Sequence, residues 1–146
     1  MALLNYTTTV AARKTMAEVQ TLLGSTDGVR SVMATFDDNG KAVGIAFAVA
    51  TEHGMRSFTL PIRADEVYAT LLRQKIPARY QTREHAERVA WRIVKDWLEA
   101  QLAIIESRMV SLEQVMLPYM HGDDGRTMFE LYRDTQLALP AAASGS

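Results

Sequence analysis

The chain has no cysteine among its 146 residues, which excludes disulfides, thiolate zinc sites and cysteine nucleophiles. That absence fits a reducing compartment and sets the expectation of a cytoplasmic protein. No apolar run approaches the ~20 residues that span a bilayer. The opening stretch MALLNYTTTVAARK lacks the basic segment and apolar core of a secretion signal. The formal net charge is -1, so the chain is no polycation. HExxH, Walker A, GxGxxG and GxSxG patterns are all missing. Adjacent aspartates occur as Asp37-Asp38 and Asp123-Asp124, both in turn-like stretches where nothing raises a carboxyl pKa. His121 opens HGDDG, but the EF-hand spacing and its terminal glutamate are absent, so the stretch reads as a turn and not as a metal loop. The expectation is a protein with no catalytic residue, no metal and no cofactor, hence not an enzyme.

What is present is a 48% apolar chain of one-domain length, enough to bury a core unaided. The reading is a single α+β domain over residues 1–140 with a disordered tail over 141–146. TMAE at Thr15–Glu18 has the capping-box form and predicts a helix start, with Gly24 as its stop. RSVMATF and KAVGIAFAVA flank DDNG, a strong hairpin signal. In the second strand Val43, Ile45, Phe47 and Val49 alternate with Gly44, Ala46, Ala48 and Ala50. One sheet face is therefore bulky and the other smooth, and a helix of the same chain is the expected cover for the smooth one. MRSFTLPI reads as a third strand, and a short helix opens at Ala64 or Asp65. The predicted order is an N-terminal helix, a three-stranded antiparallel meander, a short helix, one long helix and a short C-terminal helix.

The long helix is predicted from about Arg83 to Leu117, where Pro118 ends it. From Ala86 to Leu117 it would run roughly 48 Å at ~1.5 Å per residue, as long as the whole domain. Two apolar stripes wind around it, one through Trp91, Val94 and Leu98, the other through Ile93, Trp97, Ala100 and Ile104. So much apolar surface exceeds what one small sheet can cover. The expectation is a homo-oligomer with Trp97, Ile104, Ile105, Met109, Leu112 and Met116 at the interface.

Charge is unevenly spread. Arg63 to Lys95 carries eight Lys/Arg against four Asp/Glu, and Asp96 to the end carries three Arg against eight acids. Arg88, Arg92 and Lys95 fall on one helix face, and Arg73, Lys75, Arg79, Tyr80 and Arg83 come just before. A basic groove with aromatic rings suits single-stranded DNA. Glu84, Asp96 and Glu99, each four residues from one of these cations, equally suit a solvated helix face.

The segments VMATFDDNGKAVGIAFAV, SFTLPI and AERVAWRIVKDWLEAQLAIIESRMVSLEQVMLPYM, followed by GRTMFEL, resemble a family of small proteins of tailed phages and prophages. The resemblance implies an accessory protein of the host cytoplasm that binds and does no chemistry. A sheet followed by a long dimerising helix is also similar to the arrangement of PC4-like single-stranded-DNA-binding proteins, although few basic residues fall on the strands here. The leading expectation is a homo-oligomeric single-stranded-DNA-binding protein of phage replication or recombination. The alternative is a scaffold or inhibitor that meets a host protein through its long apolar helix.

Overall fold

The computed structural model describes residues 1–135, so the expected tail over 141–146 lies outside the described residues. The architecture is α+β. Helix α1 (Ala12–Gly24) leads into an antiparallel sheet of β1 (Val29–Phe36), β2 (Ala42–Thr51) and β3 (Gly54–Pro61), in the order β1-β2-β3. Helices α2 (Ala64–Arg73), α3 (Arg83–Glu106), α4 (Leu112–Met116) and α5 (Met128–Thr135) follow.

The hairpin forms where DDNG places it. Asp37 N–H donates to the Lys41 carbonyl at 2.8 Å and Gly40 N–H donates to the Asp37 carbonyl at 3.0 Å. Of the Asn39-Gly40 pair only Gly40 takes a positive φ, +79°, at the left-handed position of a three-residue loop. On β2, Ile45, Phe47 and Val49 are buried as the alternation predicts, with Phe47 stacked on its β3 partner Phe58 at 5.1 Å. Val43 departs from it. Thr35 pairs with Gly44 and Phe36 with Ala42, so Val43 is the extra residue of a bulge and stays exposed.

Helices α1 and α3 contribute Val19, Leu23, Trp91 and Leu98 to the core over this bulky face. The capping box expected at Thr15–Glu18 does not form. The helix begins three residues earlier, and Thr15 lies on its inner face, four and eight residues before the buried Val19 and Leu23. Its hydroxyl is fully buried without a hydrogen-bond partner.

The long helix also stops early. At 24 residues, α3 runs about 36 Å. Arg108 takes φ 66°, and Ser111 with Gln114 closes a reciprocal capping box that starts α4 in a new direction. Apolar spacing continues in phase through Met109, Leu112 and Met116, which is why periodicity alone overran the break.

Residues 1–10 form a strap across the helices. Leu3 N–H donates to Gln74 Oε1 at 2.9 Å, Asn5 Nδ2 donates to Asp96 Oδ2 at 2.7 Å, and His85 Nε2 donates to the Tyr6 carbonyl at 2.5 Å.

Candidate functional site

The basic face of α3 comes first, because it carries the nucleic-acid expectation. Thr82 caps the helix by accepting the His85 N–H. Beyond the cap, Arg88 pairs with Glu84 at 2.8 Å. Arg92 pairs with Glu18 of α1 at 3.1 Å, and Lys95 lies 3.6 Å from the same carboxylate and pairs with Glu99. The Glu99 hydrogen bond holds the Lys95 ammonium above its ordinary range. The side chains of Arg92 and Lys95 are only 20% and 15% exposed. Arg92 and Lys95 therefore lie in the seam between α1 and α3, held by Glu18, whereas Arg88 is paired within α3. The physical reason is Glu18: once the capping box fails, its carboxylate points across to α3.

The other expected cations behave differently. Arg73, Lys75, Arg79 and Arg83 are exposed at the α2–α3 corner, and none lies within 4.0 Å of a carboxylate among the described residues. Their rings are occupied. The Arg79 guanidinium sits 4.6 Å from the Tyr80 ring centroid, and Arg83 sits 4.4 Å from that of Tyr68. Tyr80 is half-buried, edge-on to Tyr6 at 5.5 Å, so it is not a free platform for a base.

The expected oligomer interface is largely intramolecular. Leu112 and Met116 are core residues, Ile105 and Trp97 pack against that core, and Trp97 meets Tyr119 edge-on at 6.0 Å. Ile104 is half-buried, and Met109 alone of the six is openly exposed, at 71%. The break after Glu106 accounts for this, since α4 folds back and carries Leu112 and Met116 inward.

The smooth sheet face is the surface that sequence reasoning assigned wrongly. Ser31, Met33 and Thr35 lie beside Gly44, Ala46 and Ala48, which lie beside Ser57 and Thr59. Gly44 is buried beneath Thr35 and Thr59, the His121 ring meets Thr59 at the β3 side, and Ala46 and Ala48 are half-buried. Met33 is 61% exposed and Met55, at its rim, 54%. None of these side chains is charged. β1 pairs only with β2, so its outer edge carries unpaired backbone groups among the described residues. The signal was the Gly/Ala column itself, which permits close approach but does not say by what.

At the opposite edge the chain returns to β3. His121 N–H donates to the Ser57 carbonyl at 2.8 Å, and Met120 bridges Phe58. HGDDG folds as a second three-residue hairpin loop. Gly122 N–H donates to the Arg126 carbonyl, Gly125 N–H donates to the Gly122 carbonyl, and Gly125 has φ +84°. His121 Nδ1 donates to the Gly125 carbonyl at 2.8 Å, and its Nε2 is hydrogen-bonded with the Thr59 hydroxyl at 2.7 Å. Asp124 is held below the usual carboxylate range by its hydrogen bond from Arg126. Among the described residues no group of three or more His, Asp or Glu is placed to hold a metal ion.

Two clefts remain. One, of about 490 Å3, lies between the β1–β2 loop and the starts of α2 and α3, and carries opposed charges, Lys41, Arg63 and Arg83 against Asp37, Asp65 and Glu87. The other, of about 650 Å3, is a groove between the C-terminal ends of α1 and α3. With this geometry in view, comparison with known proteins gives no relative to reason from: no family model, no curated protein and no solved structure matches the chain.

Proposed function

We propose that this chain is a non-catalytic protein-interaction module whose docking surface is the smooth sheet face with the open edge of β1. The observation that carries the reading is a row of uncharged side chains in which Met33 and Met55 stand exposed beside a column of Gly44, Ala46 and Ala48. Exposed apolar patches of this kind mark contact surfaces. Methionine adapts its shape to a partner, and the small column lets a partner strand come close. The occupant is an uncharged, apolar strand or sheet surface of another protein. The resemblance to phage accessory proteins supports a partner in the host cytoplasm. The apolar stripes of α3 no longer serve as the docking element, since its own chain covers most of them.

The test is affinity capture from nuclease-treated host lysate with the native chain and with Met33→Lys/Met55→Lys. A protein retained by the native chain and lost with the variant supports the reading. Equal capture by both, or loss of the capture on nuclease treatment, overturns it.

A second reading is favoured by the exposed cluster of Arg73, Lys75, Arg79 and Arg83, which lacks carboxylate partners among the described residues. In it the chain binds single-stranded DNA through phosphates alone. Each phosphate contact contributes about -0.7 to the slope of log affinity against log salt, so four contacts give a slope near -3. Anisotropy of a labelled oligonucleotide measures that slope. No binding at about 50 mM salt sinks this reading.

A further inference from the structure

The two ends of α3 differ in charge and in shape. At its C-terminal end the groove beside α1 has an apolar floor of Leu22, Leu102 and Ile105 and an acidic rim of Asp27, Glu99 and Glu106. Asp27 and Glu106 have no cation within 4.0 Å among the described residues, and Glu99 is engaged by Lys95. Arg108 is the one cation among the described residues lining the groove. At the N-terminal end the α2–α3 corner presents Leu72, 51% exposed, between Arg73, Lys75 and Arg79. An apolar groove rimmed by carboxylates thus stands at one end, and at the other an exposed leucine on a corner that carries exposed cations. The helix between them separates them by roughly 24–35 Å, the span from Arg83 to Glu99–Glu106, so the corner of a chain cannot reach its own groove.

We infer that the corner of one copy docks into the groove of the next: Leu72 on the apolar floor, Arg73, Lys75 and Arg79 against the carboxylates of the rim. Charge complementarity selects a second copy as the occupant, because the same chain carries both halves of the match. The contact is heterologous, each copy giving its corner and receiving another's, so it builds rings or filaments and not a closed pair. It uses none of the residues of the sheet face and stands apart from the docking proposed there. It does engage the cations of the nucleic-acid reading, so oligonucleotide and neighbouring copy compete for one surface.

Sedimentation velocity of the full chain, purified free of nucleic acid, tests this. Raising salt from 0.1 to 1 M cuts the Debye length from about 10 to about 3 Å. The weight-average mass is expected to grow with protein concentration in the first condition and to stay monomeric in the second. Arg73→Glu/Arg79→Glu makes the corner acidic, and Asp27→Lys/Glu106→Lys makes the groove basic. All four positions are exposed, and circular dichroism confirms that each variant is folded. Each variant alone is expected to lose association by about tenfold, the scale of two or three exposed ion pairs. An equimolar mixture regains it, because an acidic corner then meets a basic groove. A native chain that stays monomeric at low salt overturns the inference. So does a mixture that associates no better than its components. Met33→Lys leaves this salt-sensitive association unchanged, so its failure and that of the sheet-face reading are separately visible.

Discussion

Replacing Glu18 by Gln keeps the shape of the side chain and removes the charge that Arg92 and Lys95 share. The structure sets the scale of the loss. The Arg92 contact is 3.1 Å and the Lys95 contact 3.6 Å, and the three side chains are 31%, 20% and 15% exposed. Fully exposed pairs are worth about 0.2–1 kcal/mol, whereas breaking a buried pair costs about 3–5 kcal/mol. A half-sheltered node with two cations falls between, near 2 kcal/mol. Lys95 retains Glu99, which limits its share. With an unfolding entropy of about 2.1 cal/mol/K per residue, 2 kcal/mol lowers Tm by about 7 °C for a chain of this size. Calorimetry with Glu18→Gln, Arg92→Leu and the double variant isolates the pair term. A single-variant loss below about 0.5 kcal/mol, or additive losses in the cycle, would refute the seam. Arg92 and Lys95 would then be available to phosphates.

Thr15→Val is expected to stabilise the fold by about 1 kcal/mol, because it replaces a buried hydroxyl without a partner by a methyl of the same shape; an unchanged or lower Tm counts against this. Ser111→Ala removes the capping-box oxygen and is expected to cost about 1 kcal/mol, read as a shift in the urea midpoint; no shift means the break after α3 does not rest on this cap. The C-terminal unit is expected to respond to acid. Asp124, Glu130 and Asp134 are held below their ordinary range by Arg126, by the Thr127 N–H and by Arg133 respectively. A carboxylate with a lowered folded pKa stabilises above its unfolded value, about 3.9 for Asp and 4.3 for Glu, and loses that contribution as pH falls through the folded value. NMR amide shifts of Gly122 and Met128 are therefore expected to hold at pH 5 and to move below about pH 4; constancy down to about pH 2.5 excludes the linkage.

Three stretches of this sequence have the form Ser/Thr-x-x-Glu/Gln. Thr127 and Glu130 exchange hydrogen bonds at the start of α5, and the other two show what local pattern decides. Thr15 to Glu18 does not cap because ARK before it extends the helix to Ala12, and Thr15 then falls in phase with Val19 and Leu23. Ser111 to Gln114 does cap because Arg108 has already left the helix at φ 66°. The motif is the same; the residues upstream choose. The β1–β2 hairpin was legible because Gly40 supplies the one conformation that its three-residue loop requires, whereas HGDDG was legible only as a turn. The third strand and the starts of α2, near Ala64, and of α3, near Arg83, were also legible. The candidate sites were less so. A cation's partner 74 residues away, as for Arg92 and Glu18, leaves no trace in helical spacing. The Gly/Ala column of β2 announces a close approach but not its occupant.

The seam has a consequence for the order of assembly. Each strand of the sheet pairs with its neighbour in sequence through a loop of two or three residues, so little chain entropy opposes its formation. The contacts that fasten α1 and the strap to α3 join residues 74 to 91 positions apart. Contacts of that range are expensive until the rest is in place. The meander is thus expected to form first and the Glu18 node last. Substitutions at the node then accelerate unfolding while leaving the folding rate nearly unchanged. A chain weakened there would still reach its native form at the usual speed, and would simply not stay in it as long.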